Sequence, residues 1–238
     1  MIEYIKKTYR GTKEEFLKEL ECKLLNEEKA FIVTANPETF MKANKSSKFD
    51  KILKNDETII IADGIGVVKG ANIINVNIKE RIPGVEISYG LLEFANKYNK
   101  SLYLFGASKN VIELTSNIIK NEYPNINLLG YSDGYVADKD KVFDEIVDLS
   151  PDIVLVALGV PVQEILIGKH YDKFSKGIFV GVGGTFDVMS GSVKRAPKIF
   201  INLNLEWLYR IAGDKTRMKR FYESNVKFIF EVKRLSKK

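Results

Sequence analysis

Short apolar runs alternate with segments of helical periodicity along most of this 238-residue chain. A strand that is buried on both faces of a parallel sheet reads as a short apolar run, and the connection to the next parallel strand is usually a helix. The alternation therefore predicts an α/β protein with a doubly wound, mainly parallel, Rossmann-like sheet and right-handed crossovers. The predicted strands lie at residues 30–34, 57–62, 101–106, 128–135 (a strand with its loop), 152–159 and 177–182.

Helical patterns fill the intervals between these strands. Thr12 and Glu15 have the spacing of a capping box, and a row of apolar residues at helical spacing follows them, which predicts a first helix. Further helices are predicted over residues 39–55, 91–99, 111–121, 141–150 and 161–174.

Polar residues and glycines follow the predicted strands at their carboxyl ends. In open parallel sheets, ligands bind in the crevice beyond these ends. We therefore expect the following residues to converge on one crevice: Thr34, Asn36, Asp63, Gly106, Gly159 and Gly183.

The segment from Gly177 to Pro197 combines an apolar strand, a glycine pair and an aspartate. Gly183 and Gly184 allow positive φ angles and the close approach of a phosphate or a base edge. Asp187 can accept the N–H of a uracil or cap a helix. The pattern is compatible both with a nucleotide diphosphate site and with a plain strand-to-helix turn.

Asp63 leaves a buried strand and is followed closely by two glycines in the sequence ADGIG. A partly desolvated carboxylate there can have a pKa suited to accepting a proton from an alcohol, although an aspartate that caps a β–α turn shows the same local pattern. Inverting glycosyl transfer needs one such base, whereas the leaving diphosphate needs only stabilisation of its charge. The candidate donors for that charge are the amides of the glycine turns, Arg81 and Arg195.

The residues argue against a metal site and against a dinucleotide oxidoreductase. Cys22 is the only cysteine, and the D-x-D sequence at Asp138 and Asp140 follows no apolar strand, which favours a helix N-terminus. The glycine turn lacks the third glycine of the G-x-G-x-x-G fingerprint. His170, the only histidine, is interpreted as a surface or interface residue rather than a base. We therefore expect no metal and no cofactor.

The net charge of +6 is concentrated near the C-terminus. Residues 203–238 contain ten Lys or Arg and four Asp or Glu, a difference that equals the net charge of the whole chain. We therefore predict an α/β domain at residues 1–197 and a basic, aromatic, helical appendage at residues 198–238.

The appendage interleaves aromatic side chains with its cations, as segments at a membrane interface do. For Trp207 and Tyr209, packing in a core helix is the simpler interpretation, and no sequence motif supports nucleic-acid binding. The chain shows no signal-peptide core and no run of about 18 apolar residues. We therefore expect a cytoplasmic protein that can lie peripherally on a membrane and can self-associate, as a homo-oligomer, away from it. The other aromatic residues of the appendage are Phe221, Tyr222, Phe228 and Phe230.

Eight short motifs occur in order between about residues 30 and 212. They are TANPE, ADGIG, RIPG, LFGAS, GVPVQE, GVGGTFD, KRAP and LEWLYR. Together they resemble the WecG/TagA/CpsF family, glycosyltransferase family twenty-six. Glu86, where the family more often has Asp, and Asn204, where Gly is usual, depart from the family pattern.

The resemblance implies inverting transfer of a sugar from a UDP donor to a polyprenyl-diphosphate-linked sugar at the inner face of the membrane, without a metal. In one branch, N-acetylmannosamine is added to undecaprenyl-diphosphate N-acetylglucosamine to form the linkage unit of wall teichoic acid. The alternatives are another donor sugar (N-acetylmannosaminuronic acid, glucose or galactose) or a UDP-sugar-binding module without catalysis.

By motif, the resemblance makes Asp63 the base and puts Thr34 and Asn36 beside a sugar, with Arg81 and Gln163 as further active-site contacts. It also implies that the tail completes the active site, with three arginines that reach the diphosphate: Arg210, Arg217 and Arg220. The residues expected around the UDP donor are Gly106, Gly159, Val182, Gly183, Gly184 and Asp187.

Overall fold

The computed structural model describes residues 1–193, 197, 200 and 222–237. Its six strands are β1 (Lys29–Ala35), β2 (Thr58–Ala62), β3 (Ser101–Gly106), β4 (Asn127–Ser132), β5 (Ile153–Ala157) and β6 (Gly177–Gly181). They form one sheet in the order β2-β1-β6-β5-β3-β4, and every neighbouring pair is parallel. The prediction of a parallel α/β sheet is confirmed.

Helices connect the strands and cover both faces of the sheet. They are α1 (Ile2–Lys7), α2 (Lys13–Leu25), α3 (Pro37–Ala43), α4 (Ser47–Lys54), α5 (Ile65–Ile73), α6 (Gly84–Lys97), α7 (Lys109–Glu122), α8 (Lys139–Leu149), α9 (Val162–His170), α10 (Thr185–Met189) and α11 (Lys227–Leu235). A short 3₁₀ helix (Tyr171–Lys173) follows α9, and a short π-helix (Tyr222–Val226) precedes α11.

Alternation of side chains along β1 divides the interior into two cores. Phe31 and Val33 point into one core, which also contains apolar residues of α1, α3, α4, α5, α8, α9 and α11. Ala30 and Ile32 point into the other, which is covered by α2, α6, α7 and α10. Helices on both faces of a fully parallel sheet are the doubly wound arrangement that the sequence predicts.

The strand predictions are confirmed in position and differ by a few residues at their ends. Asp152, which was included in the fifth predicted strand, lies just before β5. Its carboxylate accepts the backbone N–H of Ser101 at 2.8 Å and the Ser101 hydroxyl at 2.6 Å. This contact joins the beginnings of β3 and β5, so Asp152 acts as a link between strands.

The single helix predicted over residues 39–55 is wrong, because the chain forms two helices, α3 and α4. Asn44 is the C-cap of α3, and its backbone N–H donates to the Phe40 carbonyl. Ser46 then begins α4, since its hydroxyl accepts the backbone N–H of Phe49. The polar run between Asn44 and Ser47 contains this break.

Two helix ends test the interpretation of single polar residues. Thr12 and Glu15 form the predicted capping box of α2, and Asp138 caps α8 by accepting the N–H of Lys141 at 3.0 Å.

The surface assignment of His170 is wrong, because this side chain is buried. Its Nε2 lies 2.8 Å from a carboxylate oxygen of Asp140, a partner that local sequence does not reveal.

The C-terminal helix α11 belongs to the packed body of the protein. Phe228 and Val232 are fully buried, and the ring of Phe228 lies 6.0 Å from that of Phe40 between centroids. Phe228 is therefore a core residue, whereas Tyr222 and Phe230 of the same predicted appendage are exposed. Among the described residues, no helix is long and apolar enough to cross a bilayer.

Gly106 ends β3 with φ +129°, and a Cβ there would lie 2.3 Å from the carbonyl oxygen of Ala157. The backbone of the neighbouring strand cannot move away without a large cost in free energy. We therefore expect Gly106→Ala to lower the free energy of unfolding by more than about 3 kcal/mol. Gly191→Ala is the matched control, since Gly191 has φ +73° with open space around it and should cost about 1–2 kcal/mol. Urea unfolding of both variants measures this, and equal losses would contradict the prediction.

Candidate active site

Because all six strands are parallel, their carboxyl ends meet at one edge of the sheet. Asn36 follows β1, Asp63 follows β2, Gly159 follows the end of β5 and Gly183 follows β6. Thr34 and Gly106 lie within the last residues of β1 and β3. All six residues therefore lie at the carboxyl ends of the strands, while their convergence on one crevice and their chemical roles stay predictions.

Asp63 is half-buried and is held by two backbone contacts. Its N–H donates to the Ala35 carbonyl at 2.9 Å, and its Oδ1 accepts the N–H of Gly84 at 3.1 Å. Gly84 is the first residue of α6, so the carboxylate serves a neighbouring helix and does not cap the turn that follows β2. The N–H of Gly84 thus fixes the orientation of the candidate base.

Asn36 and Thr34 already have structural partners. The side-chain oxygen of Asn36 accepts the N–H of Thr39 at 3.1 Å and caps α3. Thr34 is buried, and its hydroxyl donates to the carbonyl of Gly181 at 2.7 Å, which ties β1 to the end of β6. Both residues therefore shape the turns at the site, and Asn36 is half-buried at its rim.

Gln163 is fully buried and joins two of the glycine turns. Its Oε1 accepts the N–H of Gly159 at 3.0 Å and the N–H of Gly183 at 3.2 Å. The amide thus connects the turn after β5 with the turn after β6. A Cβ on Gly181 would lie 2.6 Å from Gln163 Nε2, so the last residue of β6 must be small for this amide to fit. In this structure Gln163 acts on the site through the turns that it positions.

Glu164 is a buried carboxyl that the sequence analysis did not single out. It is less than 1% exposed, and its Oε1 accepts the Gln163 amide at 2.7 Å, while its Oε2 has no hydrogen-bond partner among the described residues. Burial raises the pKa of Glu164 to about 7, and the Gln163 amide and the charge of Lys42 oppose this shift. The only local signal is its position next to Gln163, because its burial depends on packing against distant strands.

The double-glycine bend has the predicted shape at one of its two residues. Gly183 has φ +51°, whereas Gly184 has φ −77° and is exposed. Val182 is buried, and its N–H donates to the Val156 carbonyl at 2.8 Å. Asp187 is not the N-cap of α10, because Gly184 occupies that position and Asp187 is half-buried in the first turn.

The arginines that were predicted for the diphosphate divide into two groups. Arg81 is half-buried in the loop before α6, and the N–H of the next residue, Ile82, donates to the Ala62 carbonyl at 2.8 Å. This contact keeps Arg81 beside the turn that carries Asp63. The others lie outside the described residues: Arg195, Arg210, Arg217 and Arg220.

Within residues 1–193 and 222–237, no three side chains of His, Cys, Asp or Glu are grouped so that they could share a metal ion. Metal independence is therefore still a prediction that a chelator must test.

A parallel, doubly wound sheet with a carboxylate and glycine turns at its carboxyl edge defines the class of α/β proteins that bind ligands at a topological switch point. Comparison with known proteins narrows this class. The chain belongs to the glycosyl transferase WecG/TagA/CpsF family, whose sequence profile matches residues 6–238. The resemblance that the eight motifs carry is thus confirmed.

Several curated relatives share most of their length with this chain. It is 42% identical over 206 residues to an N-acetylglucosaminyldiphosphoundecaprenol N-acetyl-beta-D-mannosaminyltransferase of Bacillus spizizenii, covering 86% of this chain and 80% of the relative. Proteins of the same name from Bacillus subtilis and Staphylococcus aureus are 44% and 34% identical, covering 80% and 87% of this chain and 74% and 81% of their own lengths.

Burial of Glu164 predicts a pH-dependent stability. Because its folded-state pKa is raised to about 7, the folded protein holds a proton that the unfolded chain releases near the ordinary glutamate pKa. The contribution of Glu164 to the free energy of unfolding is fully present below the ordinary glutamate pKa, and it is lost as the pH rises through about 7. We expect Glu164→Gln, which stays neutral, to be the more stable protein at pH 8 by on the order of 3 kcal/mol.

Chemical unfolding of both proteins between pH 4 and pH 8 measures this difference, with Glu122→Gln on the exposed end of α7 as the control. Parallel stability curves for the wild type and Glu164→Gln would contradict the prediction.

Proposed function

We propose that the protein is an inverting glycosyltransferase that moves N-acetylmannosamine from a UDP donor to undecaprenyl-diphosphate-linked N-acetylglucosamine, as in synthesis of the wall teichoic acid linkage unit. The names of the curated relatives support this donor sugar and this acceptor. The observation that carries the proposal is the position of Asp63 on the same sheet edge as the Gly183 turn, at the ends of strands β2 and β6 with only β1 between them.

In the proposed reaction, the carboxylate of Asp63 takes the proton of the acceptor hydroxyl. The acceptor oxygen forms a bond to the anomeric carbon of the donor sugar while the bond from that carbon to the UDP oxygen breaks. Attack from the face opposite to the leaving group inverts the configuration, so one base is sufficient. UDP leaves as an anion and needs no proton if nearby donors stabilise its charge.

The donor nucleotide is proposed to bind at the glycine turns. The exposed Gly184 leaves backbone open to a ligand, and Gly183 is held in its bend by the buried Gln163 amide. Among the described residues, Arg81 is the proposed cation for the diphosphate. Asp187 is the proposed acceptor for the uracil N–H. We propose that the protein works without a metal, peripherally at the inner face of the membrane, where its acceptor resides.

Asp63→Asn is expected to lower kcat by about 10² to 10⁴-fold, because a positioned general base contributes about that factor. Asparagine keeps a side-chain oxygen for the Gly84 N–H, so the fold and the affinity for the UDP-sugar should be retained. Turnover and calorimetric binding of the donor measure the two effects separately.

Asp133→Asn is the matched control. Asp133 follows β4 at the far end of the same sheet edge, and its carboxylate also accepts a backbone N–H, that of Tyr135 at 2.8 Å. Full turnover by Asp63→Asn, or an equal loss in Asp133→Asn, would contradict the role of Asp63. A protein that binds the UDP-sugar but transfers nothing in its wild-type form would be a binding module.

Transfer is expected to continue at an unchanged rate after dialysis against EDTA and with EDTA in the assay. The measurement is product formation from UDP-N-acetylmannosamine and a short polyprenyl-diphosphate N-acetylglucosamine analogue, with and without chelator. Activity that returns only on addition of manganese or magnesium would contradict metal-independent transfer.

A further inference from the structure

A small apolar groove lies between α5 and the C-terminal segment of residues 222–235. Its volume is about 270 Å³. Ile65 and Gly66 line one side, and Ile229 and Phe230 line the other, with Lys69 and Asn225 as the polar groups. We call this feature the α5 groove.

The α5 groove begins at the turns that carry the candidate catalytic residues. Helix α5 starts two residues after Asp63, so Ile65 and Gly66 belong to the turn that holds this carboxylate. A Cβ on Gly66 would lie 2.6 Å from the ring of Pro37 and 3.1 Å from the side-chain oxygen of Asn225. Pro37 directly follows Asn36, so Gly66, which lines the groove, packs against the turn after β1 and follows the turn after β2.

The wall of the α5 groove exposes more aromatic surface than is usual for a surface that faces only water. Phe230, which lines the groove, is 68% exposed, although neighbouring Phe228 is fully buried. A large exposed aromatic side chain in the wall of a groove is typical of a site that binds an apolar ligand. Lys69 is exposed at the same place and gives this apolar site a cation.

The order of chemical groups along the proposed acceptor matches the order of the catalytic turn and the α5 groove on the protein. The acceptor sugar must reach Asp63, its diphosphate follows, and the polyprenyl chain follows the diphosphate. Beyond Asp63 the protein presents first the turn at Gly64 and then the apolar α5 groove with Lys69. Attraction between Lys69 and the diphosphate fits this direction of the acceptor.

We propose that the α5 groove binds the first isoprene units of the acceptor's polyprenyl chain. The inference rests on the proposed function and deepens it, because it assigns a lipid-binding site to described residues of the fold. A narrow groove that leads to the catalytic turn suits a single chain attached to the reacting sugar. The acyl chains of a bilayer and a second copy of the protein are the other occupants that the test must separate.

Phe230→Ser in the full-length protein tests the proposal without disturbing the core, since Phe230 is largely exposed. The first measurement is the ratio of kcat/KM for two soluble acceptors in detergent-free buffer, the farnesyl and the methyl esters of N-acetylglucosaminyl diphosphate. We expect Phe230→Ser to reduce this ratio about tenfold, because it removes an aromatic side chain from the prenyl contact. Leu114→Ser, at an exposed leucine on the opposite face of the sheet, should leave the ratio unchanged.

The second measurement does not require transfer and therefore separates failure of this inference from failure of the proposed function. Binding of farnesyl diphosphate, measured by calorimetry, should weaken about tenfold in Phe230→Ser and stay unchanged in Leu114→Ser. If the wild type transfers to neither acceptor but this binding pattern holds, the proposed function fails and the prenyl site stands.

Three results would overturn the α5 groove as the prenyl site. One is an unchanged acceptor ratio together with unchanged farnesyl diphosphate binding in Phe230→Ser. Another is loss of binding to vesicles of anionic phospholipid with no change toward farnesyl diphosphate, which would assign Phe230 to the bilayer. The third is a wild-type dimer that Phe230→Ser converts to a monomer in sedimentation while farnesyl diphosphate still binds.

Discussion

The buried amide of Gln163 fixes the two turns on which the proposed donor site depends. It accepts hydrogen bonds from the backbone of Gly159 and of Gly183, and it donates one to Glu164. An unpaired polar group in this interior would cost free energy, so the amide has one favourable orientation. Because Gly181 leaves just enough space for it, the ends of β5 and β6 are held at a fixed separation.

Contacts continue from this amide to the candidate base on the other side of β1. The carbonyl of Gly181 accepts the hydroxyl of Thr34, and Gly84 packs closely against the same threonine. The N–H of Gly84 then donates to Asp63. Because the candidate base and the turn proposed for the nucleotide share this chain of packed groups, their relative geometry is constant, as transfer between two bound substrates requires.

The sequence predicts the parts of this protein that depend on local pattern. A fully apolar run such as residues 153–157 identifies a central strand, and the carboxyl-end rule then brings Asp63 to the same edge as the glycine turns. Contacts between distant segments are not contained in local periodicity. For this reason the burial of His170 against Asp140 and the hydrogen bond from the Gly183 N–H to the Gln163 amide oxygen appear only in the folded structure.

The position of β6 in the sheet determines when the sheet can be completed during synthesis. Strand β6 is the last of the described strands to leave the ribosome, yet it lies in the middle of the sheet between β1 and β5. Before residues 177–181 emerge, the edges of β1 and β5 that pair with β6 in the folded protein lack that partner strand. Edges of this kind readily pair with other chains. The glycine turn that we propose for the donor directly follows β6, so its position depends on the strand that joins the two groups of strands.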